Sequence, residues 1–136
     1  MPSSALNAVQ KGLYDSIGAI SGLGASVYDF VPQNASYPYI RIGLDSAIEY
    51  DTKPTTGNEV DATIHVWARA AGAKSVKTIM DKVYQRLHRM EANLTTTGFT
   101  VVQCLCVFQT VMLESSHDGG DKYYHGVMRF QILVQG

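Results

Sequence analysis

The chain has 136 residues, 46% of them hydrophobic, with eleven Lys and Arg against twelve Asp and Glu, a formal charge of −1 at pH 7. This is the composition of one globular domain spanning 1–136, able to bury a core without disulfide or metal staples, and it excludes a disordered chain. Balanced charge gives no electrostatic basis for sequence-specific nucleic-acid binding and leaves a surface suited to protein association.

The first element is a helix over residues 4–20. Leu6, Val9, Leu13, Ile17 and Ile20 recur at helical spacing, Ser3 or Ser4 offers an N-terminal cap, and "SGLGAS" at 21–26 ends it. The stretch 27–39 reads as a loop, and Pro38 fits only the start or edge of a strand. From Ile40 the pattern alternates. Ile40, Ile42, Leu44, Ile48 and Tyr50 are expected on one face, with Arg41, Asp45 and Glu49 on the other.

"DTKPTTGN" at 51–58 reads as a polar loop, long for a hairpin connection. A strand over 59–69 follows. Val60, Ala62, Ile64, Val66 and Ala68 face in; Glu59, Asp61, Thr63, His65, Trp67 and Arg69 face out. The two strands form an antiparallel hairpin.

Residues 73–90 form the second helix, with Val76, Ile79, Met80, Val83, Leu87 and Met90 as its stripe. Arg86, His88 and Arg89 suit the dipole of its last turn, and Asn93 caps its end. The run 99–114 is apolar on both faces and reads as a central strand covered on both sides. The strand 122–135 turns Tyr124, Met128, Phe130, Ile132 and Val134 inward. The expected fold is α+β, order α-β-β-α-β-β, an antiparallel four-stranded sheet with two helices on one face.

Cys104 and Cys106, one residue apart in an apolar strand, read as reduced packed thiols, the state of a cytosolic protein. No signal peptide or membrane span is expected, and without secretion the triplets at Asn34 and Asn93 carry no glycan.

"ESSHDGGDKYYHG" at 114–126 holds the ingredients of a hydrolase or metal site: His117, Asp118, Asp121 and His125. Asp118-Gly119 between two alternating strands is also a strong hairpin signal, since such turns need positive φ. The turn accounts for these residues without chemistry, and no nucleophile elbow, zinc pair or phosphate loop occurs elsewhere. No catalytic residue, metal ligand or cofactor is therefore assigned. His65 reads as solvated or interfacial and His88 as a helix-end residue. Trp67, the only Trp, lies on the polar face of its strand; either a loop folds over it or it anchors an interface.

Four ordered pieces then carry a resemblance over nearly the whole chain: "LYDSIGAISGLGASVYDFVP", "YPYIRIG" with "YDTKPTTGNEVDATIHVWAR", "AGAKSVKTIMDKVYQRLH", and "SSHDGGDKYYHGVMRFQILV". Together they resemble the tail-completion or tail-terminator proteins of long-tailed bacteriophages and gene-transfer-agent particles. The resemblance implies a virion protein, not an enzyme. It implies a homomeric ring, usually of six copies, on the head-proximal end of a finished tail tube, assembled in the bacterial cytoplasm. Such a ring stops tube polymerisation and docks the head connector; its partners are itself, the tail tube protein and the connector. A head–tail adaptor ring is the nearest alternative. The expected interface residues are Trp67, His65, Asp61 and Arg69 on the outer strand face, Thr52, Lys53, Pro54, Thr55, Thr56 and Gly57 in the polar loop, and His117 and Asp118 in the hairpin. The open edges of a four-stranded sheet suit pairing with a neighbouring copy.

Overall fold

The computed structural model describes residues 5–29, 31, 32, 35, 37–52, 55–69, 74–115 and 122–136, except the side chains of 44–46, 49–52, 55, 56, 115 and 122. Helix α1 spans Ala5–Gly18. Strands β1 (Ser26–Tyr28), β2 (Tyr39–Thr52) and β3 (Thr55–Ala68) follow. Helix α2 spans Lys74–Leu87. A 3₁₀ turn, Glu91–Asn93, leads to β4 (Thr100–Ser115) and β5 (Lys122–Gln135).

The five strands form one sheet in the order β1-β2-β3-β5-β4. Both helices pack on one face, over a core that includes Val9, Leu13 and Ile17 of α1 and Val76, Val83 and Leu87 of α2. The sheet supplies Ile40, Ile42, Val60, Ile64, Val66, Met128, Phe130 and Ile132 to that core. The inward positions expected for β3 and β5 are therefore buried, except that Tyr124 is only partly so, and Thr63, expected outward, is buried as well. In the helices the ends of the expected stripes fall outside: Leu6 and Met90 are exposed. Ser3 and Ser4 lie outside the described residues. Asn93 does cap α2, donating Nδ2 to the Arg86 carbonyl at 2.8 Å.

The expected four-stranded antiparallel sheet is corrected at both edges. Residues 26–28, read as loop, pair in parallel with 39–41, so the sheet is mixed and five-stranded. Three residues are too few to show an alternation. At the other side β5 lies between β3 and β4, so the strand expected at the centre is an edge. Its apolar residues are not all covered: Val107, Phe108, Met112 and Leu113 are 57%, 49%, 40% and 56% exposed.

Two further expectations fail on strand geometry. A β-bulge between Leu44 and Ser46 inserts one residue into β2. A single insertion reverses the face of every later side chain. Ala47 thus opposes core residue Val60, while Ile48 opposes outward Glu59 and is 58% exposed. The polar stretch 51–58 is not a loop, because β2 and β3 stay paired out to Thr52–Thr55. Lys53 and Pro54 between them lie outside the described residues. Gly57 bonds into the sheet between Tyr50 and Gln135.

The expected hairpin between β4 and β5 is present, paired out to Ser115–Lys122, with 116–121 outside the described residues. The edge of β4 is dressed along half its length. Arg89, in the left-handed region at φ 57°, donates its N–H to the Cys104 carbonyl at 2.8 Å. The Cys104 N–H donates to Glu91 Oε2 at 3.1 Å, and the Cys106 N–H to His88 Nδ1 at 3.0 Å. The turn after α2 thus acts as a short substitute strand.

Gly12 marks where α1 meets the segment before β4. A Cβ there would lie 2.6 Å from the Thr95 carbonyl oxygen. In an exposed helix Gly→Ala stabilises by about 1 kcal/mol. Here the obstacle is backbone, so Gly12→Ala is expected to destabilise by about 1–3 kcal/mol, as overpacked cores do. Urea unfolding checks this; a raised midpoint would refute it.

Candidate functional site

Among the described residues no helix lies on the outer face of the sheet, so its side chains cover one another. At the C-terminal end of β3 the register sets Trp67 between Tyr39 of β2 and His125 of β5. The indole stacks on the His125 ring, with centroids 3.7 Å apart and planes within 10°. Tyr39 stacks at 6.3 Å on its other side, and Tyr123 tilts against it at 5.4 Å. Tyr37 closes the group at 5.2 Å from Tyr39 and 6.0 Å from Tyr123. The Arg69 guanidinium lies 4.9 Å over the Tyr37 ring. Each such aromatic pair contributes about 0.5–1.5 kcal/mol beyond its buried area. Burial first, then the neighbouring Tyr37 and Tyr123, push the Tyr39 hydroxyl up to about 12.

A polar relay crosses three strands beside this stack. His65 Nδ1 lies 2.8 Å from His125 Nε2, and His125 Nδ1 lies 3.5 Å from Glu114 Oε1. An ionised carboxylate only accepts. The network therefore assigns the His125 proton to Nδ1, facing Glu114, and makes its Nε2 the acceptor from His65. His125 is buried, with both ring nitrogens committed to this relay. Further along the same face Gln131 donates to Glu59 at 2.6 Å.

The expected site residues divide into two groups. Trp67, His65 and Arg69 stand together at one end of the sheet, with Asp61 on the same face of β3. Thr52, Thr55, Thr56 and Gly57 lie at the opposite end, where β2 and β3 meet. Lys53, Pro54, His117, Asp118 and Asp121 lie outside the described residues. His125 is a strand residue of β5 and not part of the hairpin tip. Trp67 is half-buried by its own chain's aromatics, with no described loop folded over it. Sequence reasoning missed Tyr37, Tyr39 and Tyr123 as its neighbours, and His88 as the clamp on β4. "YPY" and "YYH" contain the signal, but only strand register brings the two stretches together.

Among the described residues no group of three His, Cys, Asp or Glu is placed to hold a metal ion. Both cysteines are free thiols. Burial, with Glu91 and Cys106 adding to it, pushes Cys104 up to about 12. What remains is a rigid aromatic corner on an open sheet face, with charged residues around it.

Across residues 2–135 the sequence matches the family described as tail completion protein gp17. The chain belongs to that family. As a member it is a structural protein of the bacteriophage tail and a component of the virion. No curated protein matches the sequence. A chain in the virion of a native gene transfer agent particle has the same fold, with a TM-score of 0.81 over 99% of this chain and 100% of that one, at 21% identity. The family expected from the four sequence pieces is thus the one found.

The relay predicts coupled stability. His65→Ala leaves the His125 acceptor without its donor, at a cost of about 1–3 kcal/mol. A double-mutant cycle with His125→Ala should return an interaction energy of roughly 0.5–3 kcal/mol; strict additivity would refute the bond. Cys104 gives a pH signature. The unfolded thiol ionises near its ordinary 9.0, while the folded thiol keeps its proton up to about 12. Its contribution to stability is complete below pH 9 and falls as pH rises toward 12. At pH 8 iodoacetamide should alkylate Cys104 at least ~100-fold more slowly in the native chain than in urea; equal rates would refute its burial.

Proposed function

We propose that this protein caps the head-proximal end of the completed tail tube as a homomeric ring, stops tube polymerisation and presents the surface on which the head connector docks. Membership of the tail completion family over residues 2–135 is the observation that carries the reading. The architecture supports it. Helices occupy one face of the sheet, while the other offers an aromatic corner and exposed apolar side chains. Such apolar patches mark association surfaces.

Within this reading the single domain contacts its partners through the outer face. Trp67 and its tyrosines form the anchor, and His65, Asp61 and Arg69 form part of its rim. The stack with His125 holds the indole in place before docking, so little side-chain entropy is lost on association. Thr52, Thr55, Thr56 and Gly57, at the far end of the sheet, serve as secondary contacts, and Lys53, Pro54, His117 and Asp118 are assigned the same role from the sequence alone. Six copies form the ring, as the sequence resemblance implies, and the tube end templates its closure.

Particles made without this protein are expected to carry overlong tails and few joined heads in electron micrographs. Normal-length tails lacking heads would instead indicate an adaptor and overturn the capping role. Trp67→Ala should leave a folded chain but weaken docking by at least about 2 kcal/mol, near 30-fold in affinity for tube ends. Wild-type complementation by the folded variant would remove Trp67 as the anchor.

A further inference from the structure

The two edges of this sheet are dressed in complementary halves. On β4 the groups facing away from β5 at Cys104 and Cys106 are taken by residues 88–91. A bulge between Cys106 and Phe108 then resets the alternation. Beyond it the outward N–H and C=O groups belong to Gln109, Val111 and Leu113. These have no partner among the described residues. Val107, Phe108, Met112 and Leu113 flank them, exposed on both faces. α2 walls the inner side, where Lys77, Met80 and Tyr84 form a groove with Val111.

On the opposite edge β1 covers β2 only at 39–41. From residue 42 onward the outward groups of β2 have no partner among the described residues; after the bulge they belong to Ala47, Glu49 and Asp51. We infer that β4 of one subunit, over residues 107–115, adds the β2 edge of the next copy, over residues 42–52, as a neighbouring strand. This deepens the ring reading above and rests on it.

Three observations select a second copy as the occupant. The first is direction. β2, β3, β5 and β4 are successively antiparallel, so a copy placed alongside with its sheet continued meets β4 antiparallel. The second is parity. With Val111 opposite Ala47, both residues turn backbone groups to the junction and both side chains lie on the helix side. Ile48 then meets Thr110 on the outer face, between Phe108 and Met112. A slip of one residue would break both matches at once.

The third is the blocked half of each edge. In the sheet, Val111 is level with Ile40, through Gly126 and Val66. A neighbour placed at that level would collide with β1. The copies must therefore stagger by about six residues, roughly 20 Å along the strands. Stagger is what a sheet needs in order to tilt and close on itself. Joining different edges head to tail also gives a heterologous contact, the kind that closes into rings.

The test combines the wild-type chain with a cysteine pair. Amide exchange at Gln109, Val111 and Leu113 should slow by about 100-fold when the ring forms on isolated tail tubes. Thr110→Cys with Ile48→Cys, both on the outer face, should form intersubunit disulfides on oxidation; neither single variant should. The result separates this inference from the reading beneath it. Rings that limit tail length but leave these amides unprotected and the pair unlinked would overturn the edge pairing alone. Protected amides without self cross-links would assign β4 to a strand of another protein and also overturn it. Normal tails in the absence of the protein would overturn both.

Discussion

Two helices of fourteen residues, each about 21 Å long, cannot cover both faces of a five-stranded sheet. That constraint organises the rest of the molecule. α1 and α2 are committed to the face built from Ile40, Val60, Ile64, Met128 and Phe130. The other face has to be held by side chains rising from the sheet itself. The chain does this with flat rings. Trp67, His125, Tyr39 and Tyr123 lean on one another across three strands, and His65 and Glu114 tie the buried imidazole to its neighbours. A surface made this way is stiff without being covered.

The same shortage appears at the edges. Each edge strand is longer than the element that dresses it. β1 accounts for three residues of β2, and the turn after α2 accounts for Cys104 and Cys106 of β4. His88 does part of this work by accepting at Nδ1, which requires a lone pair there. A residue that reads in sequence as a helix-end charge is in the structure the clamp on a strand.

Much of the fold was legible because it rests on local periodicity. The spacing of Val9, Leu13 and Ile17, and of Val76, Ile79, Val83 and Leu87, located both helices and their buried faces. Alternation did the same for β3 and β5. What failed depends on partners distant in sequence. The bulge after Leu44 exists only in the pairing with β3, so Ile48 could not be seen to turn outward. The Thr-rich stretch around Gly57 has loop composition, yet its partner strand carries it to Thr55. The apolar run of β4 did signal surface that needs covering, but a sequence does not say which molecule covers it. At the candidate site Trp67 stood out by being on a polar face. Its tyrosines did not, because residues 37, 39 and 123 become neighbours only through register.

β5 has one more consequence. It follows β4 in the chain but lies between β3 and β4, pairing Gly57 with Gln135 and Ala68 with Tyr124. β3 and β4 therefore cannot share a sheet until β5 has been synthesised. Long-range pairing of this kind makes folding slow. In the interval the edge of β4 that β5 will occupy is bare along its whole length, and an apolar strand in that state is prone to aggregate. Insertion of β5 ends the interval in one step, by consuming one edge of β4 and completing the bed on which α2 rests. A half-made subunit thus has no finished outer edge to offer. If β4 pairs with a neighbouring copy as inferred above, competence to assemble is gained only once the strand order is complete, and topology itself works as a checkpoint between synthesis and assembly.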